Sequence, residues 1–222
     1  MITIVGVGHV FDLSDKMRKI IEDRSPDLVC LELDERRYRA LLSGSRERRG
    51  LPIMYVILSR FQQRVAEWYG TKVGNEILSA IRIAREKEIP IELIDMDAET
   101  VFRNLWKSMS LGERLRLFLS GILGLLGRKS TIKREIDRMR ENVDEVIEEI
   151  GKSFPSIKRV LIDERNEHMA MRLEELSKDY KNIIAFVGDG HIPGMMDYFK
   201  SRNIEVDVIR LRDLECMDLE DP

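Results

Sequence analysis

The feature that most constrains the fold is a set of short apolar runs bounded by glycine, proline or acidic residues. Runs at 2–6 (ITIVG), 28–32 (LVCLE) and 183–188 (IIAFVG) are almost free of polar residues. Runs of this length, rich in β-branched residues and apolar on both sides, suit strands covered on both faces, as in a parallel sheet. Two further runs lie at 91–95 (IELID) and 204–210 (IEVDVIR). The last alternates, which suits an edge strand with one polar face. Helical patterns fill the gaps. Ser14 is placed to cap a helix carrying Met17, Ile20 and Ile21, which ends before Pro26. Asp34 is placed to cap ERRYRALL, and Val73, Ile77, Leu78, Ile81 and Ala84 mark one face of a helix at 74–88. This order predicts an α/β fold, a mostly parallel central sheet of about five strands flanked by helices. It is read as one domain over 1–222, with a long helical insertion at roughly 98–178 before the fourth strand. Apolar residues at helical spacing in the charged segment 131–151 leave a homodimer through that helix open.

Charge and cysteine content narrow the function classes. In 222 residues, 37 Lys+Arg nearly cancel 40 Asp+Glu, a net charge of −3. That balance gives no electrostatic footprint for nucleic acid, so none is expected as a partner. Cys30 and Cys216 are too few and too far apart for a disulfide framework or a zinc ribbon. The chain opens on a strand-like run rather than a secretory leader. Its longest apolar stretch, 115–127 (LRLFLSGILGLLG), is too short to span a bilayer as a helix. A cytoplasmic chain is expected. The segment 111–127 is apolar enough to lie on a membrane surface or a partner, although core packing is the commoner use of such a stretch.

The chemistry concentrates at strand ends. Two of the three histidines share one context: Val5–Val10 reads VGVGHV and Val187–Ile192 reads VGDGHI. Parallel strands deliver both histidines, His9 and His191, to the same sheet edge, where open α/β folds bind ligands. They converge if the first and fourth strands are neighbours. Glu32 ends the second strand with Asp34 two residues on, and Asp95 ends the third with Asp97 two residues on. Two imidazoles with one or two carboxylates suit Zn, Mn, Co or Fe, and equally suit acid/base work. Against this, G-x-G-H alone is a weak signal, and Asp34 and Asp97 sit where helix caps belong. Neither copy is a dinucleotide fingerprint, since Phe11 and Pro193 stand where its third glycine would be.

Five ordered pieces carry a resemblance: GVGHVFDLS, PDLVCLELDERRYRAL, GNEILSAIRIAREKEIPIELIDMDAETVFRNL, DERNEHMAMRL and FVGDGHIPGM, together spanning 6–196. They resemble the TraB/PrgY/GumN family in its archaeal TraB-like branch, whose hallmark is the paired Gly-x-x-His motif. The wider superfamily is similar to the Tiki proteases, the erythromycin esterases and the ChaN haem-binding proteins. The resemblance implies a hydrolase: metal-dependent and peptide-cleaving in the Tiki manner, or using His and Glu as the esterases do. PrgY-type members are linked to shutting down peptide pheromones. Carried over by position, His9 and His191 are the paired histidines, Glu32 the strand-two glutamate, Glu76 the G-x-E glutamate, and Arg103 and Arg165 the T-x-x-R and E-R arginines. Longer members carry C-terminal membrane helices that this sequence does not show, so a longer form would be membrane-associated.

The leading expectation is a metal-dependent peptidase. His9, His191, Glu32 and Asp95 would hold the ion, Glu76 or Asp95 would act as base, and Arg165 would face the developing negative charge. The alternatives are a metal-free His/Glu hydrolase and a module that sequesters a peptide or other small-molecule ligand without turnover. His168, one turn beyond Arg165, reads as a helix-surface residue.

Overall fold

The structure is a computed structural model that describes residues 1–8, 13–43, 75–117 and 143–217. Five strands form one all-parallel sheet: β1 (Ile2–Val7), β2 (Leu28–Leu31), β3 (Ile91–Leu93), β4 (Ile183–Gly188) and β5 (Val206–Ile209). Their order is β3-β2-β4-β1-β5, so β4 lies between β2 and β1, and the alternating last strand is at an edge. The helices are α1 (Ser14–Arg24), α2 (Glu35–Ser43), α3 (Asn75–Glu86), α4 (Ala98–Ser108), α5 (Val143–Ser153), α6 (Pro155–Lys158), α7 (Glu164–Leu176), α8 (Ile192–Ser201) and α9 (Leu211–Cys216). A π-helical turn at Arg159–Asp163 joins α6 to α7. Residues described between β3 and β4 contain no strand, as the insertion reading expects.

Side-chain alternation explains why the central strands are apolar throughout. Val5, Val7, Val29, Leu31, Ile184 and Phe186 face one side, against Met17, Ile20 and Ile21 of α1 and Ile77, Ile81 and Ala84 of α3. Ile2, Ile4, Leu28, Cys30, Ile183, Ala185 and Val187 face the other, against Met169 and Leu173 of α7 and Met195 and Phe199 of α8. Burial pushes the Cys30 thiol well above its ordinary value, and so makes it an inert core group. A third, smaller cluster joins Val101, Leu105 and Met109 to Val160.

Two local expectations meet different outcomes. Leu13 stands at the cap position, and Ser14 is the first helical residue of α1. Its hydroxyl lies 2.7 Å from that of Ser79, so it ties α1 to α3 instead. Asp97 does cap α4, accepting from the Thr100 N–H at 2.8 Å, and this bond holds its carboxyl below the usual range. Asp34 likewise accepts from the Arg37 N–H at 2.8 Å at the start of α2.

Candidate functional site

The carboxyl ends of β2, β3 and β4 meet the first turn of α7. Backbone bonding continues just past the strands: Glu32 N–H donates to Phe186 O (3.1 Å), and Ile94 N–H to Leu31 O (3.1 Å). Glu32 and Asp95 are therefore set side by side by the sheet itself. Arg165, from the start of α7, reaches both. Its Nε donates to Asp95 Oδ1 (2.9 Å), and one terminal nitrogen donates to Asp95 Oδ2 (2.8 Å) and to Glu32 Oε1. Its other terminal nitrogen donates to Leu161 O in the π-turn (3.1 Å). Arg37, from α2, donates to Asp34 Oδ2 (2.7 Å) and to Asp95 Oδ2.

His191 completes the cluster. Its Nε2 lies 3.3 Å from Glu32 Oε1, and its Nδ1 is 2.6 Å from Asn166 Oδ1. The asparagine thus fixes which ring nitrogen faces the glutamate. The other Glu32 oxygen accepts the Gly188 N–H at 2.6 Å. Three carboxylates and two guanidiniums are packed here, with the Asp95 side chain only 2% exposed. Burial works against the charge on Arg165, but Glu32 and Asp95 outweigh it, so its proton is held more tightly than usual. Arg37 behaves alike, with Asp95, Asp34 and Glu32 outweighing burial.

The glycines of the motifs serve this packing. A Cβ at Gly188 would lie 3.2 Å from Glu32 Oε2, and one at Gly6 would lie 2.2 Å from Asp189 Oδ1. One at Gly194 would fall 2.1 Å from Asn166 Nδ2, so this glycine lets the asparagine reach the histidine. At Gly6 and Gly188 the close approach is made by carboxylates of the chain itself. On the far side of the same turn, Asp189 accepts from Arg210 Nε (3.0 Å), its terminal nitrogen (2.7 Å) and the Leu211 N–H (2.7 Å).

The expected site residues divide clearly. Glu32, Asp95, Arg165 and His191 come together. β1 and β4 are paired neighbours, with Val7 opposite Gly188, as convergence of the two histidines requires. His9 itself lies outside the described residues, and so does the Glu76 side chain. Arg103 is exposed on α4 and bonds Thr100 of its own helix. His168 is half-buried, and desolvation lowers its pKa. Sequence reasoning missed Arg37 and Asn166. The i, i+3 spacing of Asp34 and Arg37 was the available signal for the first; for Asn166 there was only its place beside Arg165.

The donor set bears on the expected metal. Among the described residues, no group of three or more His, Cys, Asp or Glu side chains is arranged to hold an ion. Both Asp95 oxygens and Glu32 Oε1 accept from arginine, and Glu32 Oε2 accepts from a backbone amide. A divalent ion would have to displace the guanidiniums, so these carboxylates as arranged do not fit one. A cleft of about 500 Å³ opens beside the cluster, lined by Asp34, Glu35, Tyr38, Ile91, Glu92, Leu93, Asp95 and Asp97.

Comparison with known proteins matches residues 1–208 to the TraB/PrgY/gumN family model. The uncharacterized protein MJ1365 of Methanocaldococcus jannaschii is 31% identical over 211 residues, covering 90% of this chain and 53% of that protein. TraB domain-containing proteins of Bos taurus and Mus musculus are 22% and 21% identical, each over 86% of this chain and 60% and 61% of their own lengths. The chain thus spans little more than half the length of these relatives. The extent of the family match settles the assignment: the chain belongs to the TraB/PrgY/gumN family.

Proposed function

We propose that the chain is a hydrolase of amide or ester bonds in which His191 and Glu32 activate water. One observation carries the reading: a buried histidine, tied to Asn166 through one nitrogen, faces a buried glutamate through the other at the carboxyl ends of parallel strands. Buried ion networks return little net stability, so the fold alone gives weak reason to build this one. In the proposed step the pair takes a proton from water, and the water oxygen adds to the substrate carbonyl carbon. The proton then passes to the departing amine or alcohol as the C–N or C–O bond breaks. Arg165 spends four hydrogen bonds on Asp95, Glu32 and Leu161. That makes it a positioning residue that holds both carboxylates in place. The cleft beside Asp95 is the proposed approach for substrate, His9 is the proposed second imidazole, and Glu76 stays a candidate second base. The resemblance to peptide-acting families ranks peptides first among substrates.

The test is hydrolysis of a fluorogenic peptide library and simple esters, in chelator and then with added Mn, Co, Zn or Fe. The expected result is cleavage that persists in chelator and falls at least roughly a hundredfold in His191→Ala. Cleavage abolished by chelator and restored by one metal would replace this reading with the metallopeptidase. A peptide bound tightly and recovered uncut would replace it with the sequestering module.

A further inference from the structure

An apolar surface lies on a different part of the molecule from the ion cluster. Trp106 near the end of α4, and Leu111 and Leu115 on a helical stretch at 111–117, are 54%, 81% and 61% exposed. Leu111 and Leu115 are four residues apart and share one face. The stretch that carries them is firmly anchored. Ser110 N–H donates to the Glu113 carboxylate (2.9 Å) and Glu113 N–H donates to Ser110 Oγ (3.2 Å), a capping box. The same carboxylate accepts from the Ser156 N–H (2.8 Å) and hydroxyl (2.9 Å), which clamps the stretch onto α6. The exposed leucines are thus presented by a braced scaffold.

Basic residues outnumber acidic ones along this part of the sequence. From 101 to 134 the sequence holds eight Lys+Arg and one acidic residue, Glu113, in a chain whose net charge is −3. Glu113 is spent on the clamp. Arg103, three residues before Trp106, and Lys107, next to it in sequence, are both exposed, and the Arg114 guanidinium stacks 4.9 Å from the Trp106 ring centre. In sequence, the apolar run FLSGILGLLG follows and closes on Arg128 and Lys129. Among the described residues, no helix is long and apolar enough to cross a membrane. An aromatic and aliphatic face with exposed Arg103 and Lys107 on the helix that carries Trp106 matches the boundary between anionic headgroups and acyl chains.

We infer that this face rests on an anionic lipid surface, with Trp106, Leu111 and Leu115 entering the interface and Arg103 and Lys107 meeting lipid phosphates. Flotation of the full chain with phosphatidylglycerol-containing vesicles, against pure phosphatidylcholine, at low and high salt, tests it. The chain should float with the anionic vesicles, less with neutral ones, and less as salt rises. The double variant Leu111→Ser, Leu115→Ser removes only exposed apolar groups and should lower the bound fraction roughly tenfold or more. Failure to float with anionic vesicles, equal binding to neutral ones, or undiminished binding by the variant would each overturn the inference. So would a dimer that the double variant converts to monomer while lipid has no effect, because the face would then belong to a second copy.

Discussion

On one side of the turn that carries His191, Glu32, Asp95 and Asp34 are packed with Arg165 and Arg37, and it is the three carboxylates that are nearly sealed from water. On the other side, Asp189 alone takes a forked contact from Arg210, whose side chain is 31% exposed and also reaches Asp144 at 3.2 Å. The second network is a brace: Asp189, the exposed Asp144, one guanidinium and a backbone amide, with water available if it fails. The first has more carboxylates than guanidiniums and a histidine at its margin. Its carboxylates depend on the guanidiniums because they are buried, while the Arg37 side chain, 30% exposed, still reaches solvent. Similar ion pairs thus serve different ends according to what surrounds them, and burial decides which is costly to disturb.

The largest expected effect comes from the sealed side. Arg165→Ala leaves Glu32 and Asp95 short of a buried partner and should cost about 3–5 kcal/mol in chemical denaturation. A loss below about 1 kcal/mol would mean that the cluster is wetter and looser than its geometry. Asp189→Ala should cost less, about 1–3 kcal/mol, because Arg210 keeps Asp144 and water while the Leu211 N–H loses its acceptor. Equal losses for the two variants would erase the contrast.

The smallest effect is a pH dependence at a third carboxylate. The backbone N–H groups of Ser110 and Ser156 hold the Glu113 pKa down to about 2 from its ordinary 4.5. A depressed carboxylate pKa adds stability that is complete above the unfolded value and is lost as pH falls through the folded one. The joint between 111–117 and α6 should therefore loosen as pH drops from 4.5 toward about 2, read by the fluorescence of tryptophan beside it. Glu113→Gln should remove that part of the pH response, and an unchanged profile would refute the clamp.

The sequence made the sheet legible because strands buried on both faces leave an unmistakable apolar trace. It also placed Glu32, Asp95 and His191 at one edge, since parallel strands all end on the same side. It did not reveal that arginines occupy the carboxylates. That depends on how the α7 and α2 termini sit over the strand ends, a three-dimensional fact with no periodic signature. Asn166 stayed hidden for the same reason, being one polar residue in a charged helix until Gly194 opens the space beside it. Ser14 misled because a serine at a helix start is usually a cap, and here the neighbouring helix claimed its hydroxyl.

The strand order has a consequence for how the polypeptide is made. β1 and β2 are synthesised early, yet neither touches the other, since β4 separates them. More than 180 residues must leave the ribosome before that central strand exists to join them. Until then the nascent chain exposes unpaired, strongly apolar strands. Closing the sheet thus waits on a late, non-local pairing and is expected to lean on chaperones that shield such edges.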